Sequence, residues 1–203
     1  MEEKILHTTK RCPFCANEIH LEAIKCQYCN EFLDGRIRVE QFSNVQPIWQ
    51  LIILSILTCG LYDIYWFYRN WKHFKVHHKL NISPTWRTVG LLIPLVGLVQ
   101  THRQLKYIRH LAKEAGIEKS FSPRMILISL MIFNLLSLLP VPYWFLSLFS
   151  VWPLTIVQRV LNSYWEKEQH GIPSRTKLSK WEIAIVMMGG IIFILGLIGT
   201  FLP

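Results

Sequence analysis

The 203 residues leave room for one small head and one compact membrane domain, and a 51% hydrophobic content with a mean hydropathy of +0.27 is high for a soluble protein. The net charge of +9 does not read as a nucleic-acid surface. Lys and Arg number six in residues 1–47, five in 69–87, six in 102–124 and five in 159–181, and the apolar blocks between these stretches hold none. Bases placed in short linkers beside apolar blocks suit anionic lipid headgroups and a positive-inside orientation.

Residues 1–47 carry six bases against seven acids, too nearly neutral for a nucleic-acid-binding head. The start, MEEKILHTTKRC, is acidic and polar and lacks the apolar core of a cleavable signal. The expected location is therefore the inner (cytoplasmic) membrane, multi-pass, with the N-terminal head in the cytosol. In that reducing compartment four paired cysteines read as a metal site rather than as disulfides.

Cys12 and Cys15, then Cys26 and Cys29, form two C-x2-C pairs separated by ten residues. Each pair aims two thiolates at one point, and two pairs close a tetrahedral four-sulfur site suited to one structural Zn(II) ion. Four thiolates leave no open position for Lewis-acid chemistry. A redox dithiol is the rival reading. Metal binding would supply most of the folding energy of so small a head. Ile19, Leu21, Ile24 and Phe32 are placed to cover one side of the site, and Lys10, Arg11 and Lys25 to offset thiolate charge. CPFCANEIHLEAIKCQYC resembles the short zinc ribbons at the N-termini of many bacterial proteins, which implies a fold and a metal but no activity. The expected domains are a cytosolic zinc ribbon over 1–33, a tether over 34–47 with a turn at Asp34-Gly35, and a helical membrane domain over 48–203.

Residues 48–68 are 21 residues without Lys or Arg, about 32 Å as a helix, with Trp49 at one end and Tyr65, Trp66 and Tyr68 at the other. Thr58-Cys59-Gly60-Leu61-Tyr62, followed by Tyr65-Trp66, resembles an uncharacterised bacterial membrane-domain family. In that family a T-x-G-x-Y…Y-W signature ends the first apolar segment, and an N-terminal zinc ribbon is often fused. The resemblance runs from about residue 47 to residue 168. It implies a helical membrane fold and supplies no catalytic residues. Asp63 departs from it, standing where a small or apolar residue is usual. An intramembrane acid is a functional candidate by default. Six residues from Arg69, Asp63 is expected to be an interfacial or Arg-paired carboxylate.

Residues 69–87 form a basic linker in which His73 and His77 have the i, i+4 spacing of a metal pair; without a nearby acid or cysteine they are expected on a solvated face. The block 88–101 is only 14 residues, about 21 Å, and contains Pro94 and Gly97. It either spans by recruiting Trp86 and residues up to Leu105, or dips in and returns. Over 102–115 Leu105, Ile108, Leu111 and Ala112 make an apolar helix face opposite Lys106, Arg109, His110 and Lys113. The basic row lies either on an anionic bilayer surface or on a helix packed against the protein's own cytosolic face. Residues 125–158 are broken at Pro140-Val-Pro142, the pattern of a hairpin with both ends cytoplasmic, in which Asn134 is an expected interhelical hydrogen-bonder. A last span, 182–203, places Gly189 and Gly196 on one face for close packing.

The expected fold is thus a small β zinc ribbon plus an all-α membrane domain of about four to five apolar segments, some re-entrant or hairpin. A weak repeat (Ile82-Ser83-Pro84 with Phe121-Ser122-Pro123, Pro94-Leu95 with Pro153-Leu154) suggests three equivalent basic linkers on one cytoplasmic face; the alternative is five spans. No metalloprotease, nucleophile-elbow or phosphate-loop motif is present, and a non-enzymatic role is expected. The leading function is an anchor, scaffold or adaptor with anionic lipids and a cytosolic protein as partners, nucleic acid not among them. An oligomeric transporter or channel component is the alternative, with Asp63 and Asn134 as its intramembrane polar residues.

Overall fold

A computed structural model of the chain describes residues 9–12, 17–23, 26–28, 43–140, 143–172, 174 and 178–201. It divides into two compact units, Met1–Phe42 and Ser43–Pro203.

In the first unit β1 (Thr9–Arg11) pairs antiparallel with β2 (Glu18–His20), Lys10 opposite Ile19. The period-two alternation of a strand turns Ile19 inward while Glu18 and His20 stay exposed. Ile19, Cys12 and Cys26 form one small buried cluster. This corrects the expected zinc ribbon. The described β structure is two strands of three residues, and among the described residues no three His, Cys, Asp or Glu side chains gather where they could hold a metal. Cys15 and Cys29 lie outside the described residues. Cys12 and Cys26, one from each pair, meet in the buried cluster, which among the described residues is two thiols and not a full ligand set.

The second unit is helical. Its α1 (Ile48–Leu57) stops at Thr58-Cys59-Gly60, where Cys59 and Gly60 have φ of 49° and 83°. Two consecutive left-handed residues cannot continue a right-handed helix. The chain re-enters as α2 (Leu61–His77), running antiparallel to α1, since Ser55 contacts Asp63 near the turn and Gln46 contacts Arg69 at the far end. Next come α3 (Pro84–Val89) and a 3-10 turn (Gly90–Leu92). Ile93 is extended, as residues before proline are, and α4 (Pro94–Glu114) starts at the proline. A Cβ on Gly97 would lie 2.8 Å from the Leu91 carbonyl oxygen, so this reversal needs glycine there. α5 (Pro123–Leu136) is followed by a 3-10 segment (Tyr143–Ser150), α6 (Val151–Glu168) and α7 (Lys180–Phe201).

The second half of each reversal runs the same way. Phe67 of α2 accepts from Gln104 of α4, and Phe74 packs on Tyr107. Trp66 donates to Gln158 of α6, Phe74 stacks on Trp165, and His77 reaches Glu168. Positions rise together in every pair, so α2, α4 and α6 are parallel and their C-termini gather at one end. Their shared core holds Trp66, Phe74, Leu105, Ile108, Leu161 and Trp165, all about 1% exposed or less.

The expected four to five apolar segments are corrected as well. Among the described residues, two helices are long and apolar enough to cross a membrane, Tyr143–Glu168 and Lys180–Gly199, and Ile48–Leu57 and Pro123–Leu136 are shorter apolar helices. The apolar blocks 48–68, 88–101 and 125–158 are each interrupted internally, by the Thr58–Gly60 turn, by Ile93, and after Leu136. A count of apolar residues does not register where the backbone reverses. Of the two readings of the amphipathic stretch, α4 packs its apolar row on the protein's own core: Leu105, Ile108, Leu111 and Ala112 are buried, and Lys106, Arg109 and Lys113 are exposed.

Candidate functional site

Two polar clusters lie among the apolar helices, and their local chemistry differs. The first forms where α7 begins. Ser179 precedes the helix and Glu182 is its third residue. The Ser179 N–H donates to Glu182 Oε2 (2.6 Å), and the Glu182 N–H donates to Ser179 Oγ (3.2 Å). This reciprocal pair is a capping box, which satisfies two backbone donors that the helix leaves open. Arg69 Nη1 donates to the remaining Glu182 oxygen (3.2 Å) and to the Tyr62 hydroxyl (3.4 Å). The Tyr62 hydroxyl donates to the same Glu182 oxygen (3.3 Å) and accepts from Gln46 Nε2 (2.7 Å), while Arg69 Nη2 donates to Gln46 Oε1. Glu182 is 1% exposed. A buried carboxylate is tolerable only with such a partner set.

The cluster continues into α6. Trp66 Nε1 donates to Gln158 Oε1, Gln158 Nε2 donates to Asn162 Oδ1 (2.6 Å), and Asn162 Nδ2 donates to the Gln46 carbonyl (2.7 Å). One polar lock thus joins α2, α6, α7 and, through Gln46, the segment that leads into α1. It also corrects the expected Arg69 pairing: the partner of Arg69 is Glu182, 113 positions away, and not Asp63. The only local signal for the lock was the Ser-x-x-Glu spacing at 179–182.

Around this level the surface changes character. Trp49, Trp86 and Trp181 are 60%, 76% and 73% exposed, each within the first turn of α1, α3 or α7. Measured along α2, α1 and α7 begin beside Arg69, and α3 passes Trp71, over whose ring Arg87 lies at 4.2 Å. The three indoles therefore fall within about one helical turn of a common level. Toward the gathered C-termini the exposed residues include Lys72, Lys75, Lys79, Lys106, Arg109 and Lys113. On the other side they are Leu92, Leu95, Met131, Leu135, Met187, Ile191 and Leu195. Only 11% of the α7 span is buried within the chain, against 44% of Tyr143–Glu168.

The second cluster lies on the apolar side. Asp63 belongs to the first turn of α2, and six residues from Arg69 put it about 9 Å beyond the indole level. Its Oδ1 accepts from Ser55 Oγ (2.5 Å), and its carboxylate also bonds the Ser150 hydroxyl. Both named partners are neutral. Asp63 lines a half-open cavity of about 690 Å³ bordered by α2, the start of α4, α5, and the 3-10 segment running into α6. Phe67, Leu91, Leu98, Leu127, Leu130 and Leu154 make its apolar walls; Thr101, Asn134, Ser137 and Ser147 add further polar groups. Asp63 and Asn134, 71 positions apart, thus line one space. Asn134 is not the expected buried interhelical bridge: it is exposed, and its Nδ2 donates to Leu130 O of its own helix (2.8 Å). Cys59, in the turn, lines the cavity too.

The remaining candidates are placed as follows. Cys12 and Cys26 are 2% and 0% exposed in the small cluster of the first unit. The rings of His73 and His77 both meet Trp165 edge-on, at 6.2 and 5.2 Å, and His77 Nε2 lies 3.3 Å from Glu168. Gly189 packs on Thr58 and Gly196 on the Trp144 ring. Comparison with family models, curated proteins and solved structures finds no match to this chain.

Proposed function

We propose that this is a multi-pass protein of the cytoplasmic membrane that anchors its N-terminal head at the cytosolic surface, as a scaffold for a cytosolic protein partner. The observation that carries the reading is the ring of exposed Trp49, Trp86 and Trp181 at one level, with exposed bases on one side and exposed aliphatic side chains on the other. Indoles favour the headgroup layer, and Lys and Arg favour the cytoplasmic side. α7, at 22 residues, is about 33 Å long and matches a hydrocarbon core of about 30 Å. α1, at ten residues, is about 15 Å and reaches only halfway. In this reading α1–α2 and α3–α4 are re-entrant pairs, α5–α6 is a hairpin that crosses and returns, α7 crosses once, and the three basic linkers share the cytosolic face. The turn at Thr58–Gly60 is tolerable at membrane depth because its N–H groups are bonded (Gly60 N–H to Ser55 O, 2.9 Å) and it lines a cavity.

A cysteine introduced at Ser83, compared with the parent chain in intact cells, tests the orientation. It should resist a membrane-impermeant maleimide until the cells are opened; modification from outside overturns the shared cytosolic face. The scaffold role is tested by quantitative co-purification from membranes, full-length chain beside Cys26→Ser. Partners that leave with the substitution, while the protein stays in the membrane, support it. An unchanged set of co-purifying proteins removes the head from that role.

A further inference from the structure

We infer that the cavity around Asp63 is a binding site for a single-chain amphiphile whose polar group donates hydrogen bonds, an amine or a hydroxyl, drawn from the surrounding bilayer. The inference rests on the membrane reading above and assigns the domain a ligand that anchoring does not need.

A volume of about 690 Å³ lies within the range of built small-molecule sites, about 300–1,000 Å³. The composition of the walls selects the ligand. Phe67, Leu91, Leu98, Leu127, Leu130 and Leu154 offer nothing to a polar molecule and suit an aliphatic chain. Among the polar groups that interrupt this wall, Asp63, Ser55 and Ser150 cluster together, and Asp63 is the one that carries charge. A carboxylate at membrane depth is costly unless something answers its charge. Glu182, the other acid of the apolar blocks, is answered by Arg69. The named partners of Asp63 are two serine hydroxyls, which supply hydrogen bonds and no positive charge. A ligand with a protonated amine or a hydroxyl would complete the set; a ligand carboxylate or phosphate would face like charge. Access is consistent with a membrane source. Met131, Leu135 and Leu138 line the cavity and are also 40%, 62% and 80% exposed, so the wall formed by α5 and the residues just after it is continuous with the apolar outer surface.

The test uses the full-length protein in detergent and three photoactivatable C16 probes with the diazirine in mid-chain: a primary amine, a primary alcohol and a fatty acid. Cross-links are mapped by peptide mass spectrometry. The amine and alcohol should label peptides that contain Leu127, Met131 or Leu135, at least fivefold more than the acid does. Asp63→Asn should abolish the preference of amine over acid while leaving alcohol labelling within twofold. Leu127→Trp, which places an indole in the cavity, should suppress all three. Equal labelling by amine and acid in the parent chain overturns the inference, as does labelling that Leu127→Trp leaves unchanged in a variant that keeps the parent's thermal transition. If Leu127→Trp fails to fold, Ser147→Phe replaces it under the same criterion. The membrane reading is scored separately, by resistance of the parent chain to alkaline carbonate extraction. A chain that is extracted yet labels in the expected pattern sinks that reading and keeps the site.

Discussion

Glu182 and Asp63 are the two acids embedded in the apolar blocks, and their surroundings are opposite. Glu182 is closed in by Arg69, Tyr62 and the Ser179 N–H, every one a donor, and joins the first residues of α7 to the middle of α2. Asp63 bonds two hydroxyls and borders the half-open cavity. A fully satisfied buried charge specifies one arrangement of helices, because any other arrangement would leave it unpaired. An acid with an open side ties its neighbours, here Ser55 and Ser150, by hydroxyl bonds alone, and its charge remains available to a molecule that is not part of the chain. The comparison separates architecture from recognition within one apolar domain.

The largest effect expected from breaking the comparison is at the lock. Arg69→Leu leaves Glu182 buried without its cation and should cost about 3–5 kcal/mol, read by denaturant unfolding in detergent. The double substitution Arg69→Leu with Glu182→Leu should recover most of that loss, since removing both charges removes the unpaired one. A double variant no better than the single one would mean that the pair does more than neutralise itself.

Close packing beside the lock comes next. A Cβ on Gly189 would lie 2.5 Å from Thr58 Cβ, whereas one on Gly190 meets nothing within 4 Å. Gly189→Ala should therefore destabilise by about 1–3 kcal/mol through overpacking, and Gly190→Ala should not. Equal effects at the two positions would remove the contact between α7 and the Thr58 turn. Asp63→Asn sharpens the comparison from the other side. It keeps the shape and the Ser55 bond and should shift stability by less than about 1 kcal/mol, far below Arg69→Leu. A loss as large as that at Arg69 would make Asp63 a second lock.

The smallest effect is at the basic end. Burial, followed by the neighbouring His77, holds the His78 imidazole below its ordinary range, and His78 Nε2 lies 3.0 Å from the Tyr164 hydroxyl. The unfolded chain then takes up this proton first as pH falls. The stability His78 contributes is complete above the ordinary histidine value of about 6.5 and is lost as pH drops through it toward the folded value. His78→Gln should flatten the pH dependence of the melting temperature between pH 7.5 and 5.5; an unchanged slope would assign that dependence to other groups.

Parts of this arrangement were legible locally. Leu105, Ile108, Leu111 and Ala112 recur at helical spacing, and that periodicity marked the buried row of α4 whatever it packed against. Pro84, Pro94 and Pro123 stand at three helix starts, since proline fits the first turn and drives the preceding residue out of helix; along the sequence they read as a repeat and as a break in the block 88–101. Gly189 and Gly196 marked a contact face without naming Thr58 or Trp144. The partner of Arg69 was not legible. Asp63 was six residues away, and Glu182 was brought in only by the return of the chain. Nor was the Thr58–Gly60 reversal legible inside a run long enough to span; it depends on two left-handed residues that hydropathy does not register.

By itself the sequence determined where apolar residues and bases fall, the buried row of α4, and that two acids stand among apolar blocks. These are properties of composition and of near neighbours, and they need no fold to be stated. Only the tertiary structure decided that the second helix of each reversal runs parallel to the others, that Glu182 answers Arg69, and that Asp63 and Asn134 border one space. These depend on distances between residues dozens of positions apart, which a chain acquires only when its helices pack.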